Sequence, residues 1–347
     1  MTRIPTGDLF EEKPVLKSSV FKRITIAGLF SACLLLAAGG CGTARDPGPT
    51  RVSLALDWFP NSNHAGIFEA LKRGYFSAEG LDVRVYTPAD PSTVLQTVGA
   101  GRDDFGMSYQ PDVLQARSAE IPVVSVLAIV QHPLNSVMTL KSSGLARPGD
   151  LKGKKVGHPN IASNSAMLAT MLEYDGTRLS EVELVDVGFD LVPALLSGRV
   201  HAVVGAYWTH ESILMELEGH PVNIMRMEDW GVPDFYELVL VTSDQMLSER
   251  PDVAARFTRA FRKGFEAALA DPQGSIDALI ELNPDTVNEQ LERQGVDLLR
   301  PLWQAEAPRF GYQTPARWQS FGDWMKRQGF VRETMDVSKA FTNRFAE

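Results

Sequence analysis

The loop at residues 57–64 concentrates the side chains best suited to hold a small molecule. Within eight positions it offers an acid, an indole, two amides and an imidazole, at Asp57, Trp58, Asn61, Asn63 and His64. An indole face can stack on a flat ring, while polar groups can donate to or accept from the edge of that ring. The loop is therefore a candidate binding site for a small molecule.

Each of these residues also has a purely structural interpretation. Trp58 could pack in the core, and Asn61 and Asn63 could form a turn or cap the helix predicted to start near residue 65. His64 could be a buried, hydrogen-bonded histidine. We favour the ligand-binding interpretation most for Trp58, because it directly follows a predicted strand and ligands bind beyond strand ends in open α/β folds.

Aromatic residues after later strand-like segments could supply the other walls of the site. Tyr109 and either Tyr207 or Trp208 could each place a ring against the ligand. Tyr236 stands beside the segment that leads back to the first half of the chain and is a further candidate contact. Packing in the core is the alternative for each of these rings.

Three polar residues in the second half of the chain complete the set of candidate contacts. Asn160 and Ser163 stand where a predicted helix begins, so free backbone N–H groups there could meet a ligand oxygen. Glu211 could accept a hydrogen bond from an exocyclic amine. The alternatives are a helix cap for Ser163 and a solvated charge for Glu211.

The sequence predicts no catalytic group, no metal site and no cofactor. Its histidines lack the spacing of a two-ligand helical metal site, and the glycines at 99–101 lack the rest of a phosphate-binding motif. Cys33 and Cys41 are the only cysteines, so a chain cleaved before Cys41 has no thiol pair for a disulfide or a zinc site. Any ATP hydrolysis must come from a partner.

Strand and helix patterns alternate along residues 52–205 in two series. The first is predicted as strands 52–56, 82–86, 105–108 and 123–130 with helices 65–73, 92–100 and 111–119. The second is predicted as strands 153–157, 182–187 and 202–205 with helices 163–174 and 191–197. Strands that alternate with helices of this length indicate two mostly parallel sheets in an α/β protein.

Two strand-like segments, Asn135–Leu140 and Tyr236–Thr242, lead into and out of the second series. Two strands that cross between two lobes would form a hinge, with the ligand in the cleft between the lobes. We predict that lobe 1 comprises residues 51–138 and 239–347, and that lobe 2 comprises residues 139–238. The return segment after residue 252 reads as helices that pack on lobe 1.

The first fifty residues predict export and lipid anchoring. Two basic residues precede an apolar run at 24–38, which has the length of a signal-peptide core, and residues 36–41 (LAAGGC) resemble a bacterial lipobox. We therefore predict a lipoprotein signal peptide at 1–40, lipidation of Cys41, a tether at 41–50 and a position at the extracytoplasmic face of the cell membrane. A plain secretory signal or an uncleaved anchor remains the alternative.

The charge balance argues against a nucleic-acid partner. Residues 1–40 carry five basic and three acidic groups, so their removal changes the formal net charge from −9 to −11. Nucleic-acid binding depends on Lys and Arg that neutralise phosphates, and the sequence has no basic stripe.

Four segments resemble one known family: LDWFPNSNHAG at 56–66, GYF at 74–76, PLNS at 133–136 and DLKGKKVG at 150–157. The chain resembles, over about residues 50–270, the SsuA/THI5-like, NMT1-type substrate-binding proteins of ABC transporters for thiamine pyrimidine precursors and riboflavin. The resemblance implies a type II periplasmic binding protein fold, with two lobes joined by two hinge strands. It also implies an ABC permease and its ATPase as partners, and binding of a small heteroaromatic ligand rather than catalysis.

Three alternatives to a pyrimidine-precursor binding protein stay open at this point. Riboflavin is the alternative ligand within the same transporter class. The second alternative is an enzyme like the fungal thiamine pyrimidine synthases, which share the fold. The resemblance implies a cysteine-rich iron-binding cluster in those enzymes, and residues 42–347 of this chain contain no cysteine. A sensory protein that reports ligand to a membrane receptor is the third alternative.

Overall fold

The computed structural model of the protein describes residues 48–346. The predicted signal peptide, Cys41 and most of the predicted tether lie outside the described residues. Within the described part, no helix combines the length and the apolar character needed to cross a membrane.

The described strands form two five-stranded sheets. The first sheet contains β1 (Thr50–Ala55), β2 (Leu81–Tyr86), β3 (Phe105–Ser108), β4 (Val123–Val130) and β10 (Leu238–Ser243), and the second contains β5 (Asn135–Leu140), β6 (Lys155–His158), β7 (Glu183–Asp186), β8 (Ala202–Tyr207) and β9 (Val222–Arg226). The prediction of two α/β sheets is confirmed, and β3 and β4 have their predicted bounds.

Helices connect the strands of each sheet and then continue to the carboxyl terminus. They are α1 (Ala65–Lys72), α2 (Tyr75–Ala78), α3 (Val94–Gly99), α4 (Gln110–Ser118), α5 (Ala162–Tyr174), α6 (Leu191–Leu196), α7 (Glu211–Leu217), α8 (Asp244–Glu249), α9 (Pro251–Ala270), α10 (Pro272–Leu282), α11 (Glu289–Gln304) and α12 (Pro315–Arg327). The helix predicted at 92–100 is shorter, because Pro91–Thr93 form a 3-10 turn capped by the Asp90 side chain.

In each sheet, four of the five strands run in one direction and one strand runs in the opposite direction. The strand orders are β2-β1-β3-β10-β4 and β7-β6-β8-β5-β9, with β10 antiparallel to β3 and β4, and β5 antiparallel to β8 and β9. The parallel strands β1 and β3, and likewise β6 and β8, end at one edge of their sheet. Loops at such carboxyl-end edges are where open α/β folds bind ligands.

The chain passes between the sheets twice, at residues 131–134 and 231–237, which we call the two crossings. Each crossing comes just before a predicted hinge strand or overlaps its first residues, and neither predicted strand spans both sheets. Strand β5 belongs entirely to the second sheet and β10 entirely to the first. The reason is that both strands fill the middle of a sheet, where hydrogen bonds on each side hold them along their length.

Helices α9, α10 and α11 share one core cluster with the first sheet. Phe257, Phe261 and Phe265 recur every four residues on α9 and share a core cluster with Val52 and Leu54 of β1. The Phe257 ring stacks on Phe105 at 3.9 Å between centroids. This packing fixes β1 and the loop that follows it, which carries the first group of candidate residues.

Candidate ligand-binding pocket

A pocket opens where the loops of the two sheets face each other. Its lining residues are Asp57, Trp58, Asn61, Tyr109, Asn135, Ile161, Ser163, Asn164, Met167, Gly205, Tyr207, His210, Glu211, Phe235 and Glu237. The empty volume is about 480 Å³, part of it open to solvent. The lining comes from the ends of β1, β3, β6 and β8 and from the crossings.

Asp57 is a buried acid of the pocket that two neighbouring side chains hold in place. Its Oδ1 lies 3.0 Å from Nε2 of His64, and its Oδ2 accepts a hydrogen bond of 3.0 Å from the Tyr109 hydroxyl. The backbone N–H of Asn61 donates to Nδ1 of His64, so that nitrogen must carry a lone pair and Nε2 must carry the proton. Asp57 therefore accepts one hydrogen bond on each oxygen, from the His64 imidazole N–H and from the Tyr109 hydroxyl.

The Tyr109 hydroxyl keeps its proton at physiological pH and therefore stays a hydrogen-bond donor. Burial raises its pKa well above the usual value, and the neighbouring Asp57 charge raises it further. The hydroxyl proton therefore remains in place to hold Asp57.

Trp58 forms a wall of the pocket and touches the opposite half of the molecule. Its ring lies 4.6 Å from that of Phe189, between centroids, in a T-shaped arrangement, and Phe59 packs near both rings. Phe189 comes from the loop between β7 and α6 of the second sheet. The contact joins the loops of the two sheets, and sequence reasoning missed Phe189 because its position in that loop carries no periodic signal.

Glu237 is a buried acid of the pocket that the sequence reasoning did not single out. Its side chain is 2% exposed, and its Oε2 accepts backbone hydrogen bonds from Leu134 at 2.7 Å and Asn135 at 2.9 Å. Burial raises its pKa to about 7, although these two hydrogen bonds act in the opposite direction. The sequence feature that could have identified Glu237 is that it is the one acid in the otherwise apolar run 236–241.

His210 carries a positive charge between two acids at the rim of the pocket. Its Nδ1 lies 3.1 Å from Oε1 of Glu211, and its Nε2 lies 3.2 Å from Oε1 of Glu292 on α11. Burial lowers its pKa, but the two carboxylates outweigh burial and raise it to about 10. Both oxygens of Glu211 are occupied, since Oε2 accepts from the backbone N–H of Tyr207.

We expect the His210 ion cluster to make stability depend on pH in the alkaline range. Because folding raises the His210 pKa from 6.5 to about 10, its stabilising contribution is complete below pH 6.5 and disappears as pH rises towards 10. We expect the free energy of unfolding of wild type, measured with urea, to exceed that of His210→Gln at pH 6. This difference should be about 3 kcal/mol smaller at pH 9.5. A difference that stays constant across this range would contradict a charged His210.

Ser163 and two buried amides line the side of the pocket formed by the second sheet. Ser163 donates its hydroxyl hydrogen bond to Asp112 on α4, and burial raises the Asp112 pKa to about 6. Asn135 accepts from the backbone N–H of Gly205 and donates to the side chain of Asn164. Ser163 therefore faces the pocket while its hydroxyl links α5 to α4.

The structure brings seven of the eleven predicted contacts to the pocket lining: Asp57, Trp58, Asn61, Tyr109, Ser163, Tyr207 and Glu211. Asn63 and His64 lie just behind it. Asn63 donates two hydrogen bonds to Oδ1 of Asn61, and fully buried His64 positions Asp57. Both therefore support the loop rather than line the pocket.

Asn160, Tyr236 and Trp208 lie apart from this lining. Asn160 lines a neighbouring cavity, and its positive φ of 57° places it in a turn. Tyr236 is fully buried in the core, where its hydroxyl accepts from the backbone N–H of Thr314. Trp208 donates its indole N–H to the Pro133 carbonyl, which turns the ring towards the first crossing.

Within residues 48–346, no group of three His, Cys, Asp or Glu side chains has an arrangement that could hold a metal ion. The pocket thus offers hydrogen bonds and ring faces.

The chain matches the model of one protein family over more than half of its length. The sequence model described as NMT1/THI5 like matches residues 61–275. The chain belongs to the NMT1/THI5-like family. The match covers the loop at 57–64 from Asn61 onwards, both crossings and all strands of the second sheet. The family predicted from the four sequence segments is confirmed.

Members of the NMT1/THI5-like family with curated names include binding proteins and enzymes. The formylaminopyrimidine-binding protein of Halalkalibacterium halodurans is 36% identical over 327 residues, which cover 93% of this chain and 99% of that protein. The riboflavin-binding protein RibY of Chloroflexus aurantiacus is 27% identical, covering 85% and 86% of the two chains. The 4-amino-5-hydroxymethyl-2-methylpyrimidine phosphate synthase THI5 of Saccharomyces cerevisiae is 26% identical, covering 85% and 87%.

Solved structures agree on the fold of this NMT1/THI5-like chain. The alkanesulfonate-binding protein SsuA of Xanthomonas axonopodis pv. citri aligns with a TM-score of 0.67 and 14% identity, over 85% of this chain and 99% of that one. The predicted periplasmic binding protein fold is confirmed.

Proposed function

We propose that the chain is the solute-binding protein of an ABC importer and that it captures a thiamine pyrimidine precursor in the pocket between its two sheets. The proposal includes export and anchoring through Cys41, an ABC permease with its ATPase as partners, and closure of two lobes divided at the two crossings, a few residues before the predicted boundary at 138/139. Binding and release, without chemical change of the ligand, is the proposed activity.

The charge of the pocket is the observation that carries the proposal. Its lining includes Asp57, Glu211 and Glu237, and among the described lining residues there is no Lys or Arg. His210 is the one cationic side chain of the lining, and two carboxylates neutralise it. Such a site favours a neutral or cationic ligand with hydrogen-bond donors and disfavours sulfonate, nitrate and phosphate groups.

An aminopyrimidine has the shape and the donors that this pocket fits. The ring is flat and can lie against Trp58, Tyr109 or Tyr207, with stacking worth about 0.5 to 1.5 kcal/mol beyond buried area. Its hydrogen-bond donors can reach the acids of the lining, and Asp57 is held in place as one such acceptor. The 36% identical formylaminopyrimidine-binding protein supports this ligand class.

Closure follows from contacts that both sheets make to one ligand. Trp58 and Tyr109 come from loops of the first sheet, whereas Tyr207 and Ser163 come from the second. A shift from 1:99 to 99:1 in favour of a closed form requires about 5.5 kcal/mol of differential affinity. The Trp58–Phe189 contact and the His210–Glu292 pair would form part of that closed interface.

Titration calorimetry with two matched ligands tests the proposal. We expect residues 42–347 to bind 4-amino-5-hydroxymethyl-2-methylpyrimidine at least tenfold more tightly than its phosphate ester, because the acidic pocket repels the phosphate. Tighter binding of the phosphate would contradict the proposed electrostatics, and binding of neither compound would contradict the ligand class. A mass spectrum and an absorption scan of the copurified small molecule test riboflavin, whose yellow flavin band would assign the alternative ligand.

The enzyme alternative is disfavoured by the composition of the chain. Residues 42–347 contain no cysteine, whereas the resemblance to the synthases implies a cysteine-rich iron-binding cluster in those enzymes. Fold likeness alone does not transfer an activity. Incubation of the protein with iron and search for a pyrimidine product should therefore show none.

A further inference from the structure

Glu237 occupies a position that joins the two crossings to the pocket. It ends the second crossing, its backbone N–H donates to the carbonyl of Val130, and its Oε2 accepts from the N–H groups of Leu134 and Asn135 at the first crossing. Three backbone hydrogen bonds thus fix the position and the rotation of this carboxylate. Preorganised groups of this kind lose little entropy when they bind a ligand.

The second carboxylate oxygen of Glu237 faces the pocket. Among the described residues, Oε1 has no hydrogen bond, and it is not fully enclosed by protein atoms. The Tyr207 hydroxyl lies close to this carboxylate, near enough to influence its pKa, but outside hydrogen-bond geometry. That hydroxyl is buried and has no partner in the described part of the chain, which would cost stability unless a ligand satisfies it.

We propose that Glu237 and Tyr207 determine specificity by reading the amino edge of the ligand ring. An aminopyrimidine presents an amine donor next to a ring-nitrogen acceptor. Glu237 Oε1 is an acceptor and the Tyr207 hydroxyl is a donor, so the pair complements that edge. The carboxylate rejects the oxo analogue, in which a carbonyl replaces the amine, because two acceptors then face each other.

Each oxygen of Glu211, the acid that the sequence offered for the amine, already has one partner within the protein. Its Oε1 contacts His210 and its Oε2 accepts from the Tyr207 N–H. Asp57 likewise has a partner on each oxygen, His64 on Oδ1 and the Tyr109 hydroxyl on Oδ2. Glu237 is thus the lining acid with one oxygen fixed by the backbone and the other free of protein partners.

The test compares the aminopyrimidine with its 4-oxo analogue in wild type and Glu237→Gln. Glutamine can still accept both backbone hydrogen bonds with its oxygen, while its amide nitrogen presents donors to the pocket. At about pH 8.5 the wild-type carboxylate is ionised, since its pKa is about 7. We expect wild type to prefer the aminopyrimidine, and the ratio of dissociation constants to move at least tenfold towards the oxo analogue in the variant.

Glu69→Gln is the matched control, because it also replaces a buried glutamate by its amide, but on α1 and outside the pocket lining. We expect its ratio to equal that of wild type. A ratio that changes in Glu211→Gln but not in Glu237→Gln would assign the amine to Glu211 and overturn the inference. Equal weakening of both ligands by Glu237→Gln would likewise overturn it, since a residue that only braces the crossings affects both ligands alike.

Tyr207→Phe tests the same pair without touching the crossings, should Glu237→Gln fail to fold. It keeps the ring and removes the unpartnered hydroxyl, so affinity for the aminopyrimidine should fall about tenfold. Unchanged affinity would overturn the pairing. The inference rests on the proposed function: if wild type binds neither pyrimidine, both fail, whereas binding with unaltered selectivity in the variants removes only the role of Glu237 and Tyr207.

Discussion

Replacement of Asp57 by asparagine is expected to weaken aminopyrimidine binding about a hundredfold and to leave the fold intact. The loss corresponds to about 2.7 kcal/mol, at the upper end for a hydrogen bond to a charged group. Asparagine can still accept the His64 N–H with its oxygen, and its amide can donate to the Tyr109 hydroxyl, which rotates to accept it. Only the negative charge offered to the ligand disappears.

Asp103→Asn is a matched control for this change. Asp103 is also a buried acid that accepts a hydrogen bond from a tyrosine hydroxyl, that of Tyr86, but it is outside the pocket lining. Calorimetry should give a wild-type dissociation constant for Asp103→Asn and a much weaker one for Asp57→Asn. If the two variants bind alike, Asp57 is a structural acid and the proposed contact with the ligand is wrong.

The elements of the fold could be predicted because each has a local periodic pattern. Strand β4 is buried along its whole length and reads as an unbroken apolar run, so its predicted and observed bounds coincide. Helix α1 ends one residue before its predicted end, a difference within the usual uncertainty of helix ends. The position of the loop after β1 could also be predicted from a local pattern, because a polar segment directly follows a strand.

The error at Tyr236 shows why adjacent residues are hard to separate from sequence. Successive side chains of an extended segment point to opposite sides, so the choice between Tyr236 and Glu237 depends on which side the pocket lies. The aromatic residue was preferred, yet the acid lines the pocket and the tyrosine lies in the core. An acid in an apolar run costs free energy unless it has partners, and that cost was the clue.

Contacts between distant parts of the chain could not be predicted at all. Phe189 meets Trp58, and Glu292 on α11 meets both His210 and the backbone N–H of Ser62. Neither partner has a local signal, because a phenylalanine in a loop and a glutamate on an amphipathic helix are ordinary residues. Such contacts follow from how the two sheets face each other, which one sequence does not specify.

Replacement of Trp58 by alanine is expected to weaken ligand binding at least tenfold without unfolding the protein. The half-buried indole lines the pocket and also meets Phe189 across it, so its removal deletes both a ring face and a closure contact. Buried tryptophans at the centre of a binding site typically contribute 2 kcal/mol or more, so the loss could reach about a hundredfold. The fold should persist, because Trp58 is outside the α9 cluster that supports β1.

Two further variants separate the ring face from the closure contact. Phe189→Ala keeps the indole and removes only its partner, so it should weaken binding by less than Trp58→Ala. Phe59→Ala, which removes an aromatic ring that is 47% exposed and outside the lining, should leave the dissociation constant within about threefold of wild type. Calorimetry that gives the wild-type constant for Trp58→Ala would remove this indole from the site, and with it the stacking on which the choice of a flat heteroaromatic ligand depends.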